Sequence, residues 1–343
     1  MLENLKFFKG SFLVAVVGLI SAFYIGGTTA LFIVAVLSVL EISLSFDNAV
    51  VNATVLKDMD EVWRKRFLTW GILIAVFGMR IVFPILIVSI FAGVSPFGAI
   101  QIAINTPDTY ADLMNQAHVS VMAFGGAFLM MVGLHFFFDD EKHHWMPIIE
   151  KPLVYFAKFK FSAEVLCLMI IAIVGGLMLT GDDQRTFALS GVSGVITFMV
   201  IGKFTSFMEK REEQRAKHCN GVAKGGMSMF IYLELLDASF SFDGVIGAFA
   251  ISTNLLIIAI GLGIGAMFVR SLTIMLVEKD TLSEYIFLEH GAFYAIIALA
   301  SMMFLKTFIH VPEVITGLIG AGFIIVAFIH SLIIKRREEQ MPS

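Results

Sequence analysis

Two segments decide how this chain reads: Glu41-Ile-Ser43-Leu-Ser45-Phe46-Asp47-Asn48 and Asp237-Ala-Ser239-Phe-Ser241-Phe242-Asp243-Gly244. Both spell acid-x-Ser-x-Ser-Phe-Asp, and they stand 196 residues apart. Each lies inside a long apolar run, where a plain spanning helix would carry no charge. A carboxylate at the centre of a bilayer costs about 2.5–3.5 kcal/mol on insertion scales, and such groups mark ion or substrate paths. Downstream of each copy, the next apolar run bears one internal arginine, Arg80 or Arg270.

The rest of the composition agrees with a membrane setting. The 343 residues are 58% hydrophobic and 15% charged, against about 25% charged in ordinary soluble domains. Mean hydropathy is +0.88. That charge is too little to clothe a water-soluble enzyme of this length. Thirty-four Phe exclude a disordered chain. A net charge of −4 gives no nucleic-acid footprint. Cys167 and Cys219 make neither a disulfide framework nor a thiolate metal site.

A spanning helix needs about 20 apolar residues. Ten runs qualify: 11–27, 30–56, 66–92, 118–138, 161–180, 185–205, 226–251, 254–278, 290–309 and 312–335. The first follows Lys6 and Lys9 like a signal peptide, but no A-x-A-like site comes after it, so it reads as a retained span. Ser190, Gly191, Ser193 and Gly194 suit close helix packing. Pro84 is expected to kink the third span, and Pro312 to sit in the first turn of the last. With ten spans, 20 of the 24 Lys and Arg fall on one side, two on the other and two inside spans. That split puts both termini in the cytoplasm.

Five spans separate the motif copies, so the two motif helices run in opposite directions. The expected fold is all-α: a polytopic helical membrane protein with an inverted repeat. Its halves are 1–160, with motif helix 30–56, and 161–343, with motif helix 226–251. Such folds hold substrate at mid-membrane, between the repeats, on interrupted helices. Asn48, Gly244 and Gly247 are the expected points of interruption.

Glu41, Asp47, Glu234, Asp237 and Asp243 outnumber Arg80 and Arg270, so a fully ionised cluster carries about −3 by formal count. At about 100° per residue, Glu41, Ser45, Asn48 and Asn52 share one helical stripe. Glu234, Asp237 and Ser241 make the matching stripe. Asp47 stacks on Ser43, and Asp243 on Ser239, away from those stripes. The donors are all oxygen, with no intramembrane His or Cys beside the motifs. Oxygen-only sites suit Mg²⁺, Ca²⁺ and Mn²⁺.

The two segments are similar to the paired signatures of the TerC family of integral membrane proteins, Glu41–Asn48 to the first and Glu234–Asp243 to the second. Trp70-Gly71 and Arg80 resemble the helix that follows the first signature, and His310-Val-Pro312 the segment before the last span. The resemblance covers about 30–135 and 226–335 and fits best the subgroup filed as DUF475. It implies a place among the LysE-type exporters, several of whose TerC-like members are tied to manganese export or tellurium resistance. Gly244 departs from the commoner pattern, which has Ser there.

The residues and the resemblance together give the expectation of an inner-membrane secondary transporter, not an enzyme, that exports a divalent cation. Mn²⁺ is the first choice, with Ca²⁺ or Mg²⁺ next, and the ion is cargo rather than a resident cofactor. Glu41, Asp47, Asn48, Glu234, Asp237 and Asp243 are the expected metal residues. Ser43, Ser45, Asn52, Ser239 and Ser241 are expected to support them, with Arg80 and Arg270 as counter-charges. The lipid bilayer and the ion are the expected partners. Export of a cationic amino acid or other small solute, a tellurium-resistance role, and metal loading of exported enzymes stay open. Weaker signals read as structural: Asp139–His144 as a juxtamembrane turn, His135, His290 and His310 at span ends, Glu209–Lys217 as a solvated connector, and Asn105, Asp108 and Asp112 as a polar outer loop. The 19 Met show no paired pattern that would build a copper pathway. No ATP-binding loop appears.

Overall fold

A computed structural model describes residues 5–71, 74–138, 145–157, 162–218, 226–249, 251–279 and 285–340. Among these the regular structure is all helical. In chain order the α-helices are α1 (Leu5–Leu44), α2 (Phe46–Asp58), α3 (Glu61–Arg66), α4 (Phe83–Ala92), α5 (Pro96–Asn105), α6 (Pro107–Gln116), α7 (His118–Phe137), α8 (Pro147–Ala157), α9 (Ser162–Met178), α10 (Gly181–His218), α11 (Met227–Phe249) and α12 (Leu255–Glu278). Leu288–Lys306 (α13) and Glu313–Gln340 (α14) close the series. Two π-helical segments, Phe67–Gly71 and Ile74–Val82, lie between α3 and α4.

This is a helical membrane protein. Among the described residues six helices are long and apolar enough to cross a bilayer, and the bent pair Glu61–Gly71 with Val76–Ala92 adds a seventh if it is counted as one span. The other expected spans also lie on helices. Helix α1 holds two of them, 11–27 and the start of 30–56. Helix α9 is 17 residues long, and α11 carries three carboxylates. Pro84 stands in the first turn of α4, directly after the π-helical segment, and a 42° bend separates Glu61–Gly71 from Val76–Ala92 ahead of it. The expected outer loop is helical instead, with Asp108 in the first turn of α6 and Tyr110 fully buried. Asp139–His144 and Cys219 lie outside the described residues.

The chain forms two compact units. One is Met1–His118 with Thr205–Lys279, the other Val119–Phe204 with Asp280–Ser343. Each draws residues from both sequence halves, so the units interleave the repeat rather than coincide with it.

In the first unit α1 reverses direction at Gly26–Gly27. Gly27 has φ 64° and ψ −152°, a region only glycine occupies readily. Both legs pack on α12. Along the first leg, Ser11 Oγ donates to the Met267 carbonyl at 2.7 Å, Gly18 abuts Ile264 and Gly26 lies near Ile257. Along the second, Ser38 Oγ donates to the Gly261 carbonyl at 3.0 Å and Glu41 lies on Gly265. Contacts therefore descend α12 and then climb it again. Ala22, Ala30, Val34, Ile257 and Ile264 form the buried seam. Small residues here let helix backbones approach closely, which drives helix association where lipid offers no hydrophobic gain.

In the second unit α7 is buried along most of its length. Phe136 stacks on Phe293 at 3.8 Å between ring centroids, and Cys167 is a buried packing residue whose thiol faces the Ala127 carbonyl. Glu150 is 1% exposed. Its carboxylate accepts from the backbone N–H groups of Trp145 and Met146 at the start of α8 and from Tyr294 Oη, at 2.9–3.0 Å. The cost of burying that charge is offset by these three donors. His135 is exposed at the end of α7, whereas His290 is buried.

Candidate ion site at the crossing of the motif helices

All the motif residues belong to the first unit. The first motif copy bridges α1 and α2, and the helix is interrupted at Ser45 (φ −102°, ψ 18°). Two residues later Asp47, 4% exposed, turns its Oδ1 back to accept the Asn48 backbone N–H at 2.9 Å. A carboxylate thus satisfies an amide at the new helix start, as a capping residue does. The second copy lies within α11, which runs unbroken from Met227 to Phe249. The interruption expected at Asn48 falls at Ser45, and the one expected at Gly244 or Gly247 does not occur.

The copies cross antiparallel. Asn48 Nδ2 donates to Asp237 Oδ1 at 2.7 Å. At the other end of the crossing, Glu41 Oε2 lies 3.0 Å from where a Gly244 Cβ would stand. Asp237 corresponds to Glu41, and Gly244 to Asn48, at the repeat offset of 196. The two contacts are therefore images of one another under a two-fold exchange. A second such pair exists. Ser38 meets the Gly261 carbonyl, and Glu234, its counterpart, lies 2.6 Å from a Cβ position on Gly71. Gly71 and Gly261 are related by the same offset of 190 that relates Arg80 and Arg270. These matched contacts are what an inverted repeat requires.

The arginines break the match. Arg80 Nη2 forms a buried ion pair with Glu41 Oε1, and both side chains are 4% exposed. Ser45 Oγ donates to the same carboxylate oxygen at 3.2 Å. Arg270, half-buried, spends its Nε and Nη2 hydrogens on the Leu68 carbonyl, with Nε at 2.8 Å. That carbonyl belongs to the π-helical segment Phe67–Gly71. The arginine expected to balance an acid holds backbone instead.

Glu41, Ser45, Asn48, Asn52, Arg80, Asp237 and Arg270 line one cavity of about 50 Å³, closed by Phe67, Leu68, Gly71 and Thr273 among others. The first stripe read from helical geometry is one wall of it. Asp47, Asp243 and Glu234 do not line it, so the wall holds two acids and two arginines. The other three acids stand outside that wall. Asp243 is 3% exposed, and Glu234 rests on Gly71. Two of the expected supporting serines face elsewhere. Ser43 is exposed and bonds the Val39 carbonyl, and Ser239 bonds the Leu235 carbonyl. Each uses the i−4 carbonyl of its own helix, the local option open to any helical serine.

Buried acceptors without donors are the site's strongest chemical feature. Asn48 Oδ1, Asn52 Oδ1 and Glu234 Oε1 are enclosed with no hydrogen-bond partner. Asn48 and Asn52 are each 4% exposed. Among the described residues no group of three or more His, Cys, Asp and Glu is gathered as a metal cage. The cavity's oxygens are amide, hydroxyl and two separated carboxylates. Sequence reasoning treated Asn52 as support only and left Gly71 and Gly265 unassigned. Their roles come from helix crossings, which no single helix reveals.

The family model described as a protein of unknown function, DUF475, matches residues 46–338. The chain belongs to the DUF475 family. The DUF475 match takes in Asp47, Asn48, Asn52, Arg80, the whole second motif copy and Arg270. No curated protein and no solved structure matches the chain.

Proposed function

We propose that this DUF475 protein is an inner-membrane secondary transporter that exports a divalent metal cation, manganese first. The observation that carries the reading is the pair of buried, unpartnered amide oxygens of Asn48 and Asn52 on the cavity wall. A buried acceptor left unsatisfied costs about 1–3 kcal/mol. A hard cation, or a water held by it, relieves both at once, and oxygen donors match such ions. Glu41 and Asp237 supply charge on the same wall. A cavity of about 50 Å³ is several times what one water needs. It is well below the several hundred Å³ of small-molecule pockets, which favours an ion over an amino acid. The TerC and LysE-type likeness of the motifs points the same way, and the Lys/Arg distribution puts both termini in the cytoplasm.

In this reading the ion enters between Asn48, Asn52 and Asp237, and Glu41 yields part of its bond with Arg80 as the ion arrives. The paired guanidinium holds the empty site against its own charge. The test is manganese flux in vesicles reconstituted with purified protein. The double variant Asn48→Ala/Asn52→Ala and the single variant Asp237→Asn are expected to abolish flux while the protein remains folded. Wild-type flux in a folded double variant overturns the site. Flux inhibited by lysine and indifferent to Ca²⁺ and Mg²⁺ overturns the substrate.

A further inference from the structure

The two-fold relation is kept by the contacts at the motif crossing and broken by two others. In the first copy the motif helix is interrupted at Ser45, and the acid at the start of the motif pairs with the arginine of the next span. In the second copy the helix is continuous through Ser241, and Arg270 is held by the Leu68 carbonyl rather than by Asp237. Ser241 stands to Ser45, and Asp237 to Glu41, at the same offset of 196.

We infer that Arg80 and Arg270 are alternating positioning residues: in the oppositely facing state Arg270 leaves Leu68 and pairs with Asp237, while Arg80 releases Glu41. This rests on the transporter reading, though not on the identity of its ion. Near-equivalent repeats of opposite orientation have near-equivalent energies when their conformations are exchanged, so the exchanged arrangement is the natural second state. The geometry allows the move, because Asp237 and Arg270 already line the same cavity. Leu68 lies in a π-helical turn. Such turns recur at functional sites. In the exchanged state α11 breaks at Ser241, and α1 runs on into α2.

Sidedness of labelling tests this without any substrate. Thr273, on the cavity wall and 3% exposed, is changed to Cys in a chain with Cys167 and Cys219 replaced. A membrane-impermeant thiol reagent is applied to vesicles of each orientation. Glu41→Gln and Arg80→Gln both break the pair of the present state, so both should raise labelling from one face several-fold. Asp237→Asn leaves Asn48 an acceptor oxygen and Arg270→Gln leaves the Leu68 carbonyl an amide donor, while both remove the charge pair of the exchanged state, so both should move the ratio the other way. The double variant Glu41→Gln/Arg80→Gln, which leaves no uncompensated buried charge, reports the present pair where a single variant fails to fold. If the four variants do not sort by pair, or if Arg270→Gln shifts the ratio in the direction of Arg80→Gln, the exchange is wrong. Sorting by pair in a protein with no manganese flux leaves the exchange standing and removes the ion assignment.

Discussion

The Asn48 side-chain amide donates to the Asp237 carboxylate at 2.7 Å and joins the two motif copies across 189 residues of chain. Replacing Asn48 with Asp sets two carboxylates face to face in a buried place. Hydrogen bonds to charged groups contribute about 1.5–3 kcal/mol, and the repulsion adds to that loss. Asn48→Asp is expected to lower the unfolding midpoint in detergent. The reversed pair, Asn48→Asp with Asp237→Asn, restores an amide–carboxylate bond and should recover most of the midpoint.

The Glu41–Arg80 ion pair is buried on both sides, so its members are coupled. Removing one partner of such a pair costs about 3–5 kcal/mol, because the other is left as an uncompensated buried charge. Arg80→Gln and Glu41→Gln should each destabilise strongly. The double variant should cost far less than the two single losses together. A double-mutant cycle on chemical denaturation in micelles reads this directly, and additive losses would deny the coupling.

Gly265 faces Glu41 so closely that a methyl group there overlaps the Glu41 Cβ and Cγ. Overpacking of this kind costs about 1–3 kcal/mol. Gly265→Ala is expected to lower stability and disturb the Glu41–Arg80 pair. Gly202→Ala is the control. Nothing lies within 4 Å of that Cβ position, and in a helix the change should be neutral or stabilising by up to about 1 kcal/mol. Thermal scans of the two variants separate crowding from helix propensity.

In the second unit Tyr294 Oη donates to Glu150 at 2.9 Å, while the same carboxylate caps the start of α8. Tyr294→Phe should cost about 1.5–3 kcal/mol and raise hydrogen exchange at the amides of Trp145 and Met146. Unchanged exchange at those amides would mean the phenol does not hold the cap.

Much of the fold was legible because hydrocarbon imposes a simple rule. Backbone polar groups must be satisfied within each span, so apolar runs are helices. Among the described residues all ten runs fall mainly on helices for that reason. The first stripe, Glu41, Ser45, Asn48 and Asn52, was legible because helical periodicity alone puts those side chains on one face, and the structure turns that face to the cavity. The second stripe was not. Of Glu234, Asp237 and Ser241, only Asp237 reaches the wall, because the crossing with the first copy lets one turn of α11 approach and carries the others past. Periodicity tells which residues share a face and says nothing of how far that face extends into a crossing.

The repeated acid-x-Ser-x-Ser-Phe-Asp pattern, by its spacing and the parity of spans between its copies, was enough to give an all-helical membrane protein with oppositely directed halves. It also picked out Glu41 and Arg80, which pair, and Asp237 and Arg270, which line the same cavity. Local chemistry and hydropathy suffice there, since both act within single helices. Tertiary structure decided the partners: Arg80 on Glu41, Arg270 on the Leu68 carbonyl, Asn48 on Asp237, and the helix break at Ser45 with none at Ser241. Near-identical sequence permits either arrangement in either copy. Packing against α12 and the π-helical turns selects one for each, because a carboxylate and an arginine in a dry interior must take whichever partner the neighbouring backbone leaves within reach.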